Sequence, residues 1–488
     1  MLQIHYIRVS FARSIVLGLA LVALVACSSG GGEDNEKSSS SRGRSSTAIS
    51  SSSGGGNSSG GGNLSSSGGN SSSGNGGSSS SYSSSSSSGG SSSAGLSSDS
   101  GPVNIDVENA IKIEYKGTSV EITNPYSEVK TEKDGAHVIV RIPDASTTEY
   151  NIVLSGTTSN GSLKLYGDVK KGLYLNSVNI TNTKGPAINI QKSKRISVHL
   201  VDGTKSTLID SEEYSTPPEK DTKAKGTFFS EGRLEFNKGN GSLEVKGKYN
   251  HAIVVDNAIE IKYGKITISE SENDGIHAND SIRVSGGDIT IKSKGDAIQS
   301  EKIPPGPVNE WVVFSGGKID LQTTKFKSHG ISSEGGVTIT GDANITISVS
   351  GDGSKGIRTR DWVEFKGGKT SITTKGNKYK DTTTGSDADE SNSTGVKLAT
   401  DLMFNSGELT VTTTGTGAKG INIDGKAAIK GGKINIDAKD DGIKIKGKLD
   451  ITGGTVNVKA GGSQLNIGTT GSCSNKGGTI DFECKGGF

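Results

Sequence analysis

The chain reads NDGIHANDSIRVSGGDITI at 273–291, KGINIDGKAAIKGGKINI at 419–436 and DGIKIKGKLDITGGTVNV at 441–458. Each copy places a Gly before an anchor Ile, then a few polar residues, then two short runs of alternating apolar residues. The anchor position recurs at Ile253, Ile276, Ile298, Ile331, Ile357, Val396, Ile421, Ile443 and Leu465. Copies without insertions are 22 or 23 residues apart, a period that indicates a solenoid.

Apolar residues alternate within each repeat unit, as in Ile282, Val284, Ile289 and Ile291, which predicts strands instead of helices. One unit cannot bury its apolar residues alone, so successive units must stack. We therefore predict an all-β fold, a right-handed parallel β-helix of about 14 coils over residues 103–488, roughly 65 Å long. Insertions around 209–226, 300–310 and 377–394 interrupt the period and are expected to be surface loops on one side.

The N-terminus predicts export. Residues 1–26 have a basic start followed by an apolar run too short to span a bilayer comfortably, which is typical of a signal peptide. The run ends in Leu24-Val25-Ala26-Cys27, which resembles the lipobox of bacterial lipoproteins. We expect Cys27 to be lipidated; the plainer alternative is an ordinary signal peptide followed by an incidental cysteine.

Residues 27–102 consist almost entirely of Ser, Gly and Asn after Cys27. Such a segment buries too little apolar surface to offset its ordering entropy, so we expect a disordered linker. A lipid anchor on a long linker implies a secreted lipoprotein held at the cell surface or outer membrane, and we expect it to be monomeric. The net charge of +2 gives no support to nucleic-acid binding.

Two further cysteines, Cys473 and Cys484, fall in the last unit, where both are expected to point inward. Export permits a disulfide between them, and buried free thiols are the alternative.

Stacking places equivalent positions of successive units one above another, and two such columns are acidic. The candidate metal ligands in them and beside them are Asp256, Asp274, Asn279, Asp280, Asp296 and Glu301. Clusters with oxygen donors only are typical of Ca²⁺. Alternatively, these side chains close turns through local hydrogen bonds.

Trp311 and Trp362 are the two tryptophans of the chain, and the repeat aligns them in one outward column with Gly336 between them. Their expected separation is about 10 Å, which would suit a sugar-binding platform if both rings are exposed. The alternative is that insertion loops cover both rings.

Later units contribute a basic stretch with four candidate carbohydrate-binding residues, Arg358, Arg360, Lys397 and Lys444. Exposed cations of this kind pair with the carboxylates of uronic acids. They are also the charges that commonly keep β surfaces soluble.

The stretches at 226–268 and 273–291, together with KGDAIQSE (294–301), resemble the cellulose- and acidic-sugar-binding β-helix family of bacterial surface proteins. That family, known as carbohydrate-binding domain-containing lipoproteins, is similar in fold to calcium-dependent polysaccharide lyases. The resemblance implies binding of plant cell-wall polysaccharide, with calcium near Asp274, Asn279, Asp280 and Asp296.

The sequence thus predicts a non-catalytic module that binds cellulose, acidic pectin-type glycans or both. The main alternative is a pectate-lyase-like enzyme that uses calcium and a Lys or Arg base. Only the boundary between the acidic and basic units, Glu334 with Lys355, Arg358 and Arg360, would bring those groups together. A third hypothesis is a structural adhesin that binds no glycan.

Overall fold

The computed structural model of the protein describes residues 109–301, 311–381 and 390–484. These ranges contain strands, turns and bends but no helix, and accordingly no helix in them could cross a membrane. The predicted all-β class is confirmed. The signal peptide, Cys27 and the Ser/Gly linker lie outside the described residues.

The strands are numbered in chain order. Those of the first half are β1 Ala110–Lys116, β2 Ser119–Thr123, β3 Lys130–Asp134, β4 Ala136–Arg141, β5 Tyr150–Thr158, β6 Gly161–Tyr166, β7 Lys170–Thr181, β8 Ile188–Gln191, β9 Arg195–Leu200, β10 Lys205–Ile209, β11 Gly226–Ser230, β12 Arg233–Lys238, β13 Ser242–Gly247, β14 His251–Val255, β15 Ile259–Ile261, β16 Lys265–Ser271, β17 Ile276–Ala278, β18 Ile282–Ser293 and β19 Ile298–Ser300. Those of the second half are β20 Val312–Thr323, β21 His329–Ser333, β22 Val337–Ile339, β23 Asn344–Val349, β24 Lys355–Thr359, β25 Val363–Thr374, β26 Tyr379–Lys380, β27 Glu390–Ser391, β28 Thr394–Leu398, β29 Leu402–Thr413, β30 Lys419–Ile423, β31 Ala427–Ile429, β32 Lys433–Ala438, β33 Ile443–Ile445, β34 Lys448–Ile451, β35 Thr455–Ala460, β36 Leu465–Ile467, β37 Ser472–Asn475 and β38 Thr479–Ile480.

Most strands belong to two large sheets. A 14-stranded sheet runs from β3 to β36, and a 22-stranded sheet contains all the others except the small hairpin of β26 and β27. The hairpin and the pairs β1–β2 and β3–β4 are antiparallel. The pairs between units, such as β17–β19 and β18–β20, are parallel. Most strands therefore pair with their equivalents in the next unit.

The anchor residues stack as the repeat predicts. Ile253 pairs with Ile276, and the series continues through Ile298 and Ile331 to Leu465 without a break in register. Inward-facing residues of both sheets form a large hydrophobic cluster that extends from Ile111 to Phe482. The alignment drawn from the sequence is thus the spatial alignment of the units.

The Gly before each anchor is required by this packing. A Cβ at Gly330 would overlap the branching methyl of Ile347, and one at Gly356 would overlap that of Ile372. Both the Gly and the following anchor therefore face the core, which interrupts the usual alternation of a strand. Because of this interruption, the residue before the Gly faces outward. This position starts a polar surface on the 14-stranded sheet.

Two of the predicted insertions lie against that same sheet. In the loop at 210–225, Tyr214 and Ala224 pack on Phe229 and Val254, which face outward from β11 and β14. The β26–β27 hairpin contributes Ser391, whose hydroxyl accepts a hydrogen bond from Lys355 of β24. The insertion at 300–310 falls largely outside the described residues.

At the C-terminal end, Cys473 and Cys484 form a disulfide with their Cα atoms 5.2 Å apart. Cys473 lies on β37 and pairs with Leu449 of the preceding unit. Both cysteines pack against the hydrophobic cluster.

Candidate functional site

The outer surface of the 14-stranded sheet carries three columns of polar side chains, which we call the polar face. The first column, two positions before the anchor, contains His251, Asp274, Asp296, His329, Lys355, Thr394, Lys419 and Asp441. The second, one position after the anchor, contains His277, Gln299, Ser332, Arg358, Lys397, Asn422 and Lys444. The third, three positions after it, contains Asp256, Asn279, Glu301, Glu334, Arg360, Asp424 and Lys446. The register of β14 to β33 sets all three columns.

Hydrogen bonds from one unit to the next explain why ionisable residues are buried in the first column. The backbone N–H of Asp296 donates to Oδ1 of Asp274 at 2.9 Å, and the N–H of His329 donates to Oδ1 of Asp296 at 2.6 Å. Nδ1 of His329 in turn accepts the N–H of Lys355 at 3.1 Å. Each side chain thus accepts a hydrogen bond from a backbone N–H of the next unit. That N–H has no strand partner, because the alternation of the strand is interrupted before the anchor.

Two histidines flank the Asp274 carboxylate. Nδ1 of His277 lies 2.9 Å from Oδ2 of Asp274 and its Nε2 lies 3.2 Å from Glu301, while Nδ1 of His251 lies 3.1 Å from the same Oδ2. Burial opposes charge on His277, but its hydrogen bonds to Asp274 and Glu301 raise its pKa to about 9. Burial likewise disfavours the Asp274 carboxylate, yet the bonds from both histidines bring its pKa below the usual range.

Asp296 differs from Asp274 although the two are neighbours in one column. Burial and the negative charge of Asp274 raise the pKa of Asp296 to about 7. The sequence correctly placed these carboxylates side by side. The repulsion expected between them is relieved by protonation of Asp296 and by the histidines around Asp274.

The candidate calcium ligands fall into two groups. Asp274 is enclosed by histidine nitrogens, and such a mixed donor set does not fit Ca²⁺, which prefers oxygen. In the third column, Oδ1 of Asp256 accepts a hydrogen bond from the Asn279 amide at 3.1 Å, and half-buried Asp280 follows directly. These neighbouring oxygen donors fit Ca²⁺. Asp296 and Glu301, whose oxygens contact the backbone of His329 and the ring of His277, stay predictions as calcium ligands.

In the part of the polar face from Arg358 to Lys446, basic side chains form several ion pairs with acidic neighbours. Arg358 and Arg360 lie 3.4 and 3.0 Å from Glu334, and Lys397 lies 2.9 Å from Asp424. Within the second column, Arg358 lies opposite Lys397 in the strand register, and Asn422 lies between Lys397 and Lys444. The structure therefore brings the predicted basic residues onto one surface, with acidic partners between them.

The tryptophan pair is not an exposed platform. The register does place Trp311, Gly336 and Trp362 in one column, as the hydrogen bonds between their units show. Trp311, however, is only 4% exposed and belongs to the core cluster. Its ring lies over Gly335, while half-buried Trp362 lies over Gly336. Of the two alternatives, burial therefore holds for Trp311, because consecutive glycines make room for its indole to pack inward.

A different aromatic pair lies beside the polar face. Phe326, in the turn before β21, is 50% exposed and stacks on Tyr379 with ring centroids 5.1 Å apart. The Lys327 ammonium lies 4.9 Å from the centre of the Tyr379 ring. Tyr379 pairs with Ser391, the residue that contacts Lys355 of the first column. The turn at 325–327 (KFK) is aromatic where the equivalent turns have Gly, Asp, Asn or Thr, and this signal was available in the sequence.

Comparison with known proteins identifies the family of the chain. A 34% identical stretch of 118 residues is shared with a carbohydrate-binding domain-containing protein of Acetivibrio thermocellus; it covers 23% of this chain and 40% of that relative. The solved polysaccharide lyase-like protein from C. thermocellum, studied as a gadolinium derivative, matches with a TM-score of 0.45 and 25% identity over 52% of this chain and 96% of its own. The model of the carbohydrate-binding domain-containing protein family matches residues 134–464. The chain therefore belongs to the family of carbohydrate-binding domain-containing proteins.

Proposed function

We propose that this protein binds plant cell-wall polysaccharide along its polar face and does not cleave it. The observation that carries the proposal is the second column, in which Arg358, Lys397, Asn422 and Lys444 follow one another on adjacent strands. At the spacing of parallel strands these four side chains extend over about 14 Å. A row of this length suits several consecutive sugar units of an extended chain.

The chemistry of the row favours acidic, pectin-type glycans, with cellulose as the neutral alternative. Arg358 and Lys397 can donate to uronate carboxylates, which their present partners Glu334 and Asp424 imitate. The carboxylates of the face can accept hydrogen bonds from sugar hydroxyls. Phe326 and Tyr379 add an apolar border on which a sugar ring can stack with its C–H face.

The same groups argue against a lyase. Removal of a C5 proton requires a basic side chain that is free of its own proton. At the predicted catalytic boundary, the carboxylate of Glu334 already holds both Arg358 and Arg360 in ion pairs. Lys355 donates to Ser391. Since all three basic side chains of the boundary are already engaged by polar partners, their arrangement suits binding better than proton removal.

Calcium remains part of the proposal at Asp256, Asn279 and Asp280, where it would hold the third column together and screen its negative charge. We further propose a right-handed parallel β-helix of about 14 coils, supported by the parallel register between units. Signal peptide cleavage and lipidation of Cys27 would leave this monomeric domain at the cell surface or outer membrane on its linker.

Affinity electrophoresis in polygalacturonate, with pull-down on cellulose and xylan, tests the proposal. Arg358→Gln combined with Lys397→Gln should weaken retention by polygalacturonate at least tenfold, and Phe326→Ala by a smaller factor. The matched control is Lys459→Gln, which removes an equally positive but 81% exposed side chain on the 22-stranded sheet. Retention that is unchanged in the double variant would contradict the proposed surface.

The same incubations address calcium and catalysis. Metal-stripped protein should regain full retention on addition of Ca²⁺ alone, and Asp256→Ala should abolish that recovery. Ultraviolet absorption of unsaturated products reports lyase activity directly. Sustained turnover of polygalacturonate would replace binding by catalysis as the function.

A further inference from the structure

Two histidines and one aspartate converge at the N-terminal end of the polar face. Nδ1 of His277 and Nδ1 of His251 lie 2.9 and 3.1 Å from the same atom, Oδ2 of Asp274. Bonds of about 2.0–2.2 Å from one ion to nitrogen and oxygen place neighbouring ligand atoms about 3 Å apart. All three residues are buried. Each of the three residues offers a ligand atom within 4.8 Å of the other two, so the three atoms are close enough to bind a single ion.

Hydrogen bonding alone leaves one of these contacts unfavourable. Nδ1 of His251 lies 3.2 Å from the backbone N of Asp274 and 3.1 Å from its Oδ2, so it can donate to Oδ2 or accept the N–H but cannot do both. When it accepts the N–H, its lone pair faces Oδ2, another electron-pair donor. A cation between the two atoms would turn this repulsion into two bonds. The N–H contact it would replace is at the long end of the hydrogen-bond range.

Neighbouring groups hold the three side chains as the second layer of a metal site does. A histidine that binds a metal through one nitrogen commonly donates its other N–H to a carboxylate. Nε2 of His277 lies 3.2 Å from Glu301 in this way. The other oxygen of Asp274 is fixed by the backbone N–H of Asp296. The orientation of both ligands is thus set from outside the cluster.

We propose that His251, Asp274 and His277 bind one divalent transition-metal ion of the zinc class through Nδ1, Oδ2 and Nδ1. Imidazole nitrogens with one carboxylate suit Zn²⁺ and Co²⁺, whereas Ca²⁺ and Mg²⁺ prefer oxygen donors throughout. Glu301 is a positioning residue that orients His277. The ion would join β14 to β17, and the site is separate from the polysaccharide-binding row.

Metal titration of the full chain, purified without a polyhistidine tag and stripped of metal, tests the proposal. We expect one equivalent of Zn²⁺ or Co²⁺ to bind by calorimetry, with a visible Co²⁺ absorption spectrum and a raised melting temperature. Ca²⁺ in excess should leave the Co²⁺ spectrum unchanged. Failure of the folded wild-type chain to bind either ion stoichiometrically would overturn the proposal without any variant.

Variants then locate the ion. His251→Gln and His277→Gln should each lower Co²⁺ affinity at least tenfold and change the spectrum. Glu301→Gln should retain one equivalent with affinity about ten to a hundred times lower. His137→Gln, which changes a half-buried histidine next to Ser162, is the control and should bind as the wild type does. Equal binding by His277→Gln and the wild type, with both folded by circular dichroism, would place the ion elsewhere.

Discussion

At the scale of single residues, imidazole side chains of this molecule differ in charge because their neighbours differ. Burial and the positive charge of Lys238 lower the pKa of His199 to about 4. Burial acts in the same direction on His277, but hydrogen bonds to Asp274 and Glu301 reverse the result. His199 is therefore neutral at pH 6, whereas His277 without a bound ion is charged.

The neutral His199 predicts an acid-dependent loss of stability. Its ring stacks on Tyr174 with centroids 4.2 Å apart, and its Nδ1 has no hydrogen-bond partner among the described residues. The unfolded chain takes up this proton near pH 6.5 and the folded chain only near pH 4. The free energy of unfolding should therefore fall as the pH decreases through this window, by about 3 kcal/mol.

Urea unfolding of His199→Phe between pH 4 and pH 7 measures this contribution. Phe preserves the stacking on Tyr174 and cannot be protonated, so the variant should lose less stability on acidification than the wild type. His137→Gln should follow the wild-type curve. A parallel decline in His199→Phe and the wild type would assign the acid sensitivity to other groups.

The residue scale is also where the sequence was least informative. Aligning the units placed Asp274 beside Asp296, which the structure confirms. His251 was visible in the same column, yet His277 falls in the neighbouring column, and a single column does not show side chains that converge from two. Trp311 was misplaced for a related reason: strand parity gives a direction but not the space that Gly335 leaves.

At the scale of the strand and turn, the Gly before the anchor links the core to the site. Because Gly330 and Ile331 both face inward, His329 is turned outward and can accept the N–H of Lys355. The Gly–anchor motif that predicted the fold therefore also places the residues of the first column on the outer surface. The sequence showed the Gly and the period clearly, but the burial of the polar residue before it depends on backbone geometry that no residue pattern specifies.

This arrangement predicts that Gly356→Ala is destabilising. The added Cβ would overlap the branching methyl of Ile372 and approach the backbone oxygen of Gly395, so the strand must shift at a cost of about 1–3 kcal/mol. Ile372→Leu moves the branch away from the new methyl. Thermal unfolding should show that the double variant recovers part of the stability lost by Gly356→Ala. Equal stability of Gly356→Ala and the wild type would mean that the strand absorbs the methyl freely.

At the scale of the whole molecule, contacts between units are made chiefly with the next unit along the stack, as the chain of parallel pairings shows. Interior units therefore contact a neighbouring unit on both sides. The period therefore predicted the stacking from sequence, and the ends are where it carried least information. In the last of the described units, the Cys473–Cys484 disulfide adds a covalent restraint to the contacts with the preceding unit.

Loss of this disulfide should accordingly have a local effect. Cys473→Ser with Cys484→Ser opens a loop of sequence separation 11, which in the chain-entropy model contributes about 3 kcal/mol. Because each unit supports mainly its neighbours, amide hydrogen exchange should accelerate in β36 and β37 and stay unchanged in β17. Ser474→Ala, a small change on the same strand, is the control and should leave both regions protected. Uniform acceleration from β17 to β37 would instead show that the stack unfolds as one cooperative body, with the disulfide restraining all of it.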